Sequence, residues 1–337
     1  MSNKYGSATM GKPDEDNTML VEGKWEGDWQ QRSRTDQTGR FIRETSTFRH
    51  WITSDGSAGP SGDGGFKAEP GRYHLYVALN CPWACRALIY RKLKKLDDVI
   101  SLSVTAPEFT DQGYGFREFE GSITDPIHNV RYLHELYAHA DPKFTGRPTV
   151  PVLWDKKNDT MVNNESGDII RMFNFAFDSF GDPEVDFYPA ELRSEIDALN
   201  DRVYEGLNNG VYRAGLASSQ ASHEQAAGEV FGCLDELEER LAGQSYLLGE
   251  RITETDWRVF VTLIRFDVAY HGLFKCNLKH LLDYPNLSRY LKRLYDVPGV
   301  AETVDFNHIK RTYYSIRKLN PDGIMPLGPL KIFPDDT

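Results

Sequence analysis

Cysteine is scarce in this chain. Four occur in 337 residues, Cys81, Cys85, Cys233 and Cys276, too few for a disulfide framework at this length. No two stand at zinc-ligand spacing with partner histidines, so no metal is expected. Positive charge is in deficit as well. The 39 Lys and Arg against 50 Asp and Glu leave a formal charge of -11, which argues against nucleic acid and anionic membranes as partners. Long apolar runs are missing, so no membrane span is expected. The first twenty residues lack the apolar run of a signal peptide, and they carry Asp14, Glu15 and Asp16, which a transit peptide avoids. A cytoplasmic protein in a reducing compartment is the expectation. The Asn-x-Ser/Thr triplets at Asn158, Asn164 and Asn286 then read as chance matches.

What is present suits a soluble protein of two domains: 40% hydrophobic and 26% charged residues in a chain long enough for two cores. Residues 1–68 read as an N-terminal extension and loop. Within them 1–52 is polar but dotted with Trp25, Trp29, Phe41, Phe48 and Trp51, an arm that packs onto a domain. Residues 53–66 are a Gly, Ser, Pro and Asp loop.

Over 69–180 the pattern is a strand at 72–79, a helix over about 83–96 opened by Cys81-Pro82, and a strand at 99–106. A connection follows with a helix near 129–139. Strands at 149–155 and 161–163 and a helix from Ser166 to about Asp178 complete it. This βαβ then ββα order is the thioredoxin arrangement. Residues 189–311 turn to helical periodicity, with segments near 192–208, 222–242, 256–270, 278–284 and 287–295. Thr253 and Asp256 form a capping-box-like pair before the apolar run from Trp257, read as a folding signal. Residues 312–337 carry four prolines and read as a tail.

Chemistry concentrates at NCPWACRALIY, 80–90. Cys81 stands where a strand meets a helix, and the unpaired N–H groups there favour an anion. A thiolate is the anion that forms, so a lowered thiol pKa and a sulfur nucleophile are expected. The alternative is a buried structural cysteine. Cys85, one turn on, reads as a core residue, with a resolving thiol as its alternative. Thr149-Val150-Pro151 places a proline between strand residues. A cis bond there would offer the Val150 N–H and C=O to an extended peptide. Asn164-Glu165-Ser166 opens a helix, where Ser166 can cap or bind a carboxylate and Glu165 can accept from an ammonium group.

These residues resemble the glutathione transferase superfamily, in its cysteine-type branch. More narrowly the chain is similar to the glutathionyl-hydroquinone reductases, or Xi-class glutathione transferases. The resemblance is carried by FRHWI (48–52), NCPWACR (80–86), TVPVLWDKK through NNES (149–166), NNGVYRAGLA (208–217) and NPDGIMPLGP (320–329). It implies a fold of α/β plus all-α class, a thioredoxin-like glutathione-binding domain followed by a helical domain, and a homodimer formed through the helical domains. It also implies glutathione as co-substrate and reduction of glutathionyl-hydroquinones through a Cys81–glutathione mixed disulfide. Trp83, Val150, Pro151, Glu165 and Ser166 are the implied glutathione contacts. Arg117, Arg147 or Arg86 would hold the glycine carboxylate, with Arg117 the first choice. Tyr212 and Tyr313 are the implied acids, ahead of Tyr204, Tyr270 and His271. An Omega-like thioltransferase, a reductive dehalogenase and a non-catalytic glutathione-binding module are the alternatives. Gly167, where a small helix former such as Ala is usual in the family, and the long loop at 53–66 depart from the pattern.

Overall fold

The computed structural model of the protein describes residues 19–27 and 35–335. Trp29 of the predicted arm, and residues 1–18, lie outside them. The arm begins with a hairpin that sequence reasoning did not predict, β1 (Met19–Val21) paired antiparallel with β2 (Lys24–Glu26). It docks on the loop before the central strands, where Leu20 and Gly146 exchange backbone hydrogen bonds of 3.0 Å.

The α/β layer follows. Strand β3 (Tyr73–Val77) leads through Cys81 into α1 (Pro82–Leu93), and then into β4 (Ser101–Val104). Helix α1 ends near Lys95, whose φ of 55° is outside helical space. Helix α2 (Leu133–Ala140) is shorter than the predicted 129–139. Its start is delayed because the Asp125 carboxylate accepts from the N–H groups of Ile127, His128 and Val130 and holds them in a turn. Strands β5 (Val152–Asp155) and β6 (Thr160–Asn163) then lead to α3 (Ser166–Phe175). The sheet order is β4-β3-β5-β6, with β3 parallel to β4 and antiparallel to β5.

The helical layer comprises α4 (Arg193–Val203), α5 (Gly210–Gly215), α6 (Gln220–Arg240), α7 (Glu254–Arg265), α8 (Pro285–Tyr295) and α9 (Phe306–Tyr314). Wide π turns at Tyr204–Asn208 and Phe266–Tyr270 extend α4 and α7. The predicted helix at 278–284 is only a single turn, Leu281–Asp283. Helices α5 and α9 were not predicted, and α9 carries order to Tyr314, into the stretch read as tail.

The two layers share one buried core. Polar ties cross between them: Arg171 of α3 meets Glu254 of α7 at 3.0 Å, and Arg86 of α1 donates to Asn208 at 2.8 Å. No helix of the described residues is long and apolar enough to cross a membrane.

Candidate active site

The α/β layer, the helical layer, the arm and the tail residues Ile316, Lys318 and Leu319 converge on one cavity of about 340 Å³. The α/β layer supplies Cys81, Trp83, Val150, Pro151, Glu165 and Ser166. The helical layer supplies Tyr204 and Tyr212. The arm closes a third side with Phe41, Arg43 and Ser46.

Cys81 is the N-cap residue of α1, with Pro82 at the first helical position. Its position is fixed from the helical layer. The guanidinium of Arg265, buried in α7, donates to the carbonyls of Asn80 at 2.6 Å and Leu79 at 2.9 Å. The Cys81 Sγ donates to the Val150 carbonyl at 3.5 Å, and the Val150–Pro151 bond, which the sequence left open between cis and an ordinary trans edge proline, is cis.

The expected lowering of the Cys81 pKa is corrected by its burial. Exclusion of water pushes the thiol up, against the pull of the Ala84 N–H, Arg265, the Trp83 N–H and Arg43. The helix start and the cations act in the direction read from the sequence, but burial outweighs them.

Glu165, rather than Ser166, caps α3. It accepts from the Gly167 N–H at 3.1 Å and from the Ser46 hydroxyl at 2.8 Å. Ser166 Oγ is buried and has no hydrogen-bond partner among the described residues, so it stands as an unsatisfied polar group on the cavity wall. Trp83 lies beside two guanidinium groups, Arg43 at 4.9 Å and Arg86 at 4.6 Å from its ring.

Opposite the thiol, the Tyr212 hydroxyl meets that of Tyr313 at 2.6 Å, and Tyr313 meets Tyr270 at 3.0 Å. Burial pushes all three phenols up, and the Cys81 sulfur adds to the effect on Tyr212. Each therefore stays a protonated donor at neutral pH. Tyr212 lines the cavity, whereas Tyr313 and Tyr270 stand behind it. Gly215 makes room here: a Cβ on it would come within 2.2 Å of the ring of Phe274, which packs on Tyr212.

Of the arginines considered for a carboxylate, Arg147 lines the cavity. Arg117 does not line it; it pairs with Glu108 at 2.8 Å. Arg86 is buried behind Trp83 on Asn208. Sequence reasoning missed Arg43, Lys318 and Arg265. The first two come from the arm and the tail, whose irregular backbone gives no period to read. Arg265 closes α7, which also carries Glu254, Asp256 and Arg258, so its charge does not stand out in the sequence.

The sequence matches the glutathione S-transferase N-terminal domain over residues 80–174 and the glutathione S-transferase C-terminal domain over 220–293. It is 48% identical over 312 residues to the glutathionyl-hydroquinone reductase YqjG of Escherichia coli, covering 92% of this chain and 94% of that one. With the glutathionyl-hydroquinone reductase PcpF of Sphingobium chlorophenolicum it shares 46% over 320 residues, 95% and 98% of the two chains. The glutathione-bound structure of YqjG superposes with a TM-score of 0.85 over 93% of this chain and 96% of that one, at 46% identity. A Xi-class glutathione transferase from Natrialba magadii gives the same score at 45% identity, covering 96% of each chain.

Proposed function

Because this chain belongs to the glutathione transferase superfamily and, within it, to the glutathionyl-hydroquinone reductases of the Xi class, we propose that Cys81 is the nucleophile of such a reductase. The observation that carries the proposal is that Cys81 lines one cavity together with the helix-capping Glu165, the unsatisfied Ser166 and Tyr212. Two relatives of 46–48% identity over nearly the whole chain carry the reductase name. That favours this reading over the thioltransferase, the dehalogenase and the non-catalytic module.

Glutathione is the co-substrate. Its γ-glutamyl end would meet Glu165 and the unsatisfied Ser166 hydroxyl at the start of α3, where N–H groups favour a carboxylate. The cysteinyl backbone would lie along Val150. Arg147 replaces Arg117 as the proposed partner of the glycine carboxylate. Trp83 would pack beside the peptide.

In the first half-reaction the Cys81 sulfur, having lost its proton, attacks the glutathionyl sulfur and forms a Cys81–glutathione disulfide. The carbon–sulfur bond of the ring breaks and its electron pair stays with the ring. Tautomerisation of the hydroquinone to a keto form beforehand lets that pair pass to a ring oxygen. The tautomerisation has already moved a proton to the ring carbon that bore the sulfur, so only this oxygen needs one, and Tyr212, backed by Tyr313, donates to it. The ring is reduced by two electrons and the sulfurs are oxidised by two. A second glutathione thiolate then attacks the disulfide, releasing oxidised glutathione and the Cys81 thiolate.

Turnover of glutathionyl-menadiol with excess glutathione tests the reading. Menadiol and oxidised glutathione should appear in equal amounts, and their absence would sink it. We further propose a cytoplasmic homodimer joined through the helical layers. Light scattering should return twice 38.4 kDa; the mass of one chain would refute the dimer.

A further inference from the structure

We propose that His128, His139 and Asp159 form a peripheral site for one divalent ion of the Zn²⁺, Ni²⁺ or Cu²⁺ kind. The three residues come from separate elements: the Asp125-fixed turn, the last turn of α2 and the β5–β6 hairpin. No cysteine takes part, so the sparse cysteines that discouraged a metal reading in the sequence do not bear on it.

The geometry converges. His128 Nε2 stands 2.7 Å from one Asp159 carboxylate oxygen, and His139 Nε2 stands 2.9 Å from the other. One donor atom from each residue lies within 4.8 Å of the others. The imidazole centroids are 4.5 Å apart, and both rings rest on the buried Trp154, at 5.0 and 5.7 Å. That packing holds the two Nε2 atoms toward the same point from different directions. His128 is 14% exposed, His139 43% and Asp159 54%. The least mobile ligand is therefore at the floor, and the most mobile is on the outside, where an ion can enter. An ion at about 2.0–2.2 Å from each donor needs the Asp159 side chain to swing outward and the two imidazoles to settle onto it.

The donor set selects the ion. Two imidazoles suit borderline transition metals, whereas Mg²⁺ and Ca²⁺ call for oxygen ligands throughout. Three protein ligands on an exposed edge leave the remaining positions to water. None of the three lines the Cys81 cavity, so the ion is a clamp between α2 and the hairpin and not a participant in thiol chemistry. The clamp has a route to the segment that precedes β5. Tyr137 of α2 donates its hydroxyl to the Thr149 carbonyl at 2.8 Å and accepts from the Thr149 N–H at 3.1 Å.

The test uses full-length Cys81→Ser protein without glutathione, since the thiolate and glutathione both bind soft cations. Calorimetric titration with Ni²⁺ should show one saturable ion per chain. Loss of an outer-shell partner already weakens metal sites by about 10–100-fold, so His139→Gln and Asp159→Asn should each weaken binding by at least about tenfold. Titration with Co²⁺ should give the visible bands of nitrogen and oxygen ligation without the near-ultraviolet thiolate band. Reductase turnover of His139→Gln in the otherwise native protein should match that of the parent. Absence of saturable binding, binding that survives both substitutions unchanged, or a thiolate band would each overturn the site.

Discussion

Burial and charge compete at Cys81, and the outcome sets what the neighbouring tyrosines must do. Dehydration raises the thiol, while two N–H groups of α1 and the guanidinium groups of Arg265 and Arg43 favour the thiolate. Expelling an electron pair onto an aromatic ring is the harder half of the chemistry, and Tyr212, which lines the cavity, is the proposed donor for it. General acids contribute about 10²–10⁴-fold. Tyr212→Phe should therefore slow hydroquinone release by about 10²-fold or more, yet leave reduction of a simple disulfide nearly unchanged, because no ring carbon leaves there. An equal loss in both reactions would mean that Tyr212 serves packing instead. At this scale the motif residues were legible because chemistry confines them to strand ends and helix starts. The sequence left Arg117, Arg147 and Arg86 open as the carboxylate partner, and only the folded cavity wall, which Arg147 lines and Arg117 does not, separates them.

Among the elements, those with strong local signals were readable. The Thr253 and Asp256 capping box stands as anticipated, with both the Thr253 N–H and its hydroxyl on the Asp256 carboxylate at 2.7 and 2.9 Å. The β1–β2 hairpin was hidden because three-residue strands carry too little alternation. Helix α5 was hidden by the glycines at both of its ends. The 278–284 stretch looked helical by composition, but Leu278 is solvent-exposed and only one turn forms. The pairing of β3 with β4 has a consequence for acid stability. His74 of β3 is buried between the hydroxyls of Ser101 and Ser103, at 2.7 and 2.9 Å. Burial pushes its pKa down to about 4. The unfolded chain takes up this proton near the ordinary value of about 6.5. Stability from this group is thus complete above about 6.5 and is lost as pH falls toward 4. Between pH 7 and pH 5 the loss is about 2 kcal/mol. Urea unfolding should show it in the parent and a reduced loss in His74→Gln; equal pH dependence in the two would refute the assignment.

For the whole molecule, the cavity is a product of assembly. The α/β layer brings the proposed nucleophile, the helical layer brings Tyr204 and Tyr212, and the arm and the tail close the remaining sides. Arg265 shows how the layers depend on each other, since a residue of α7 fixes the two carbonyls that precede Cys81. The order of layers was readable from the change of period near residue 189. The contribution of the arm was not, because its aromatic residues announce packing without saying against what. The central claim is that catalysis passes through a disulfide between Cys81 and glutathione. Mass spectrometry of the protein mixed with glutathionyl-menadiol alone tests it most directly. The account predicts one glutathione on the Cys81 peptide, an equal quantity of menadiol released, and neither with Cys81→Ser. Menadiol release that persists in Cys81→Ser, or an adduct confined to Cys85, would contradict it.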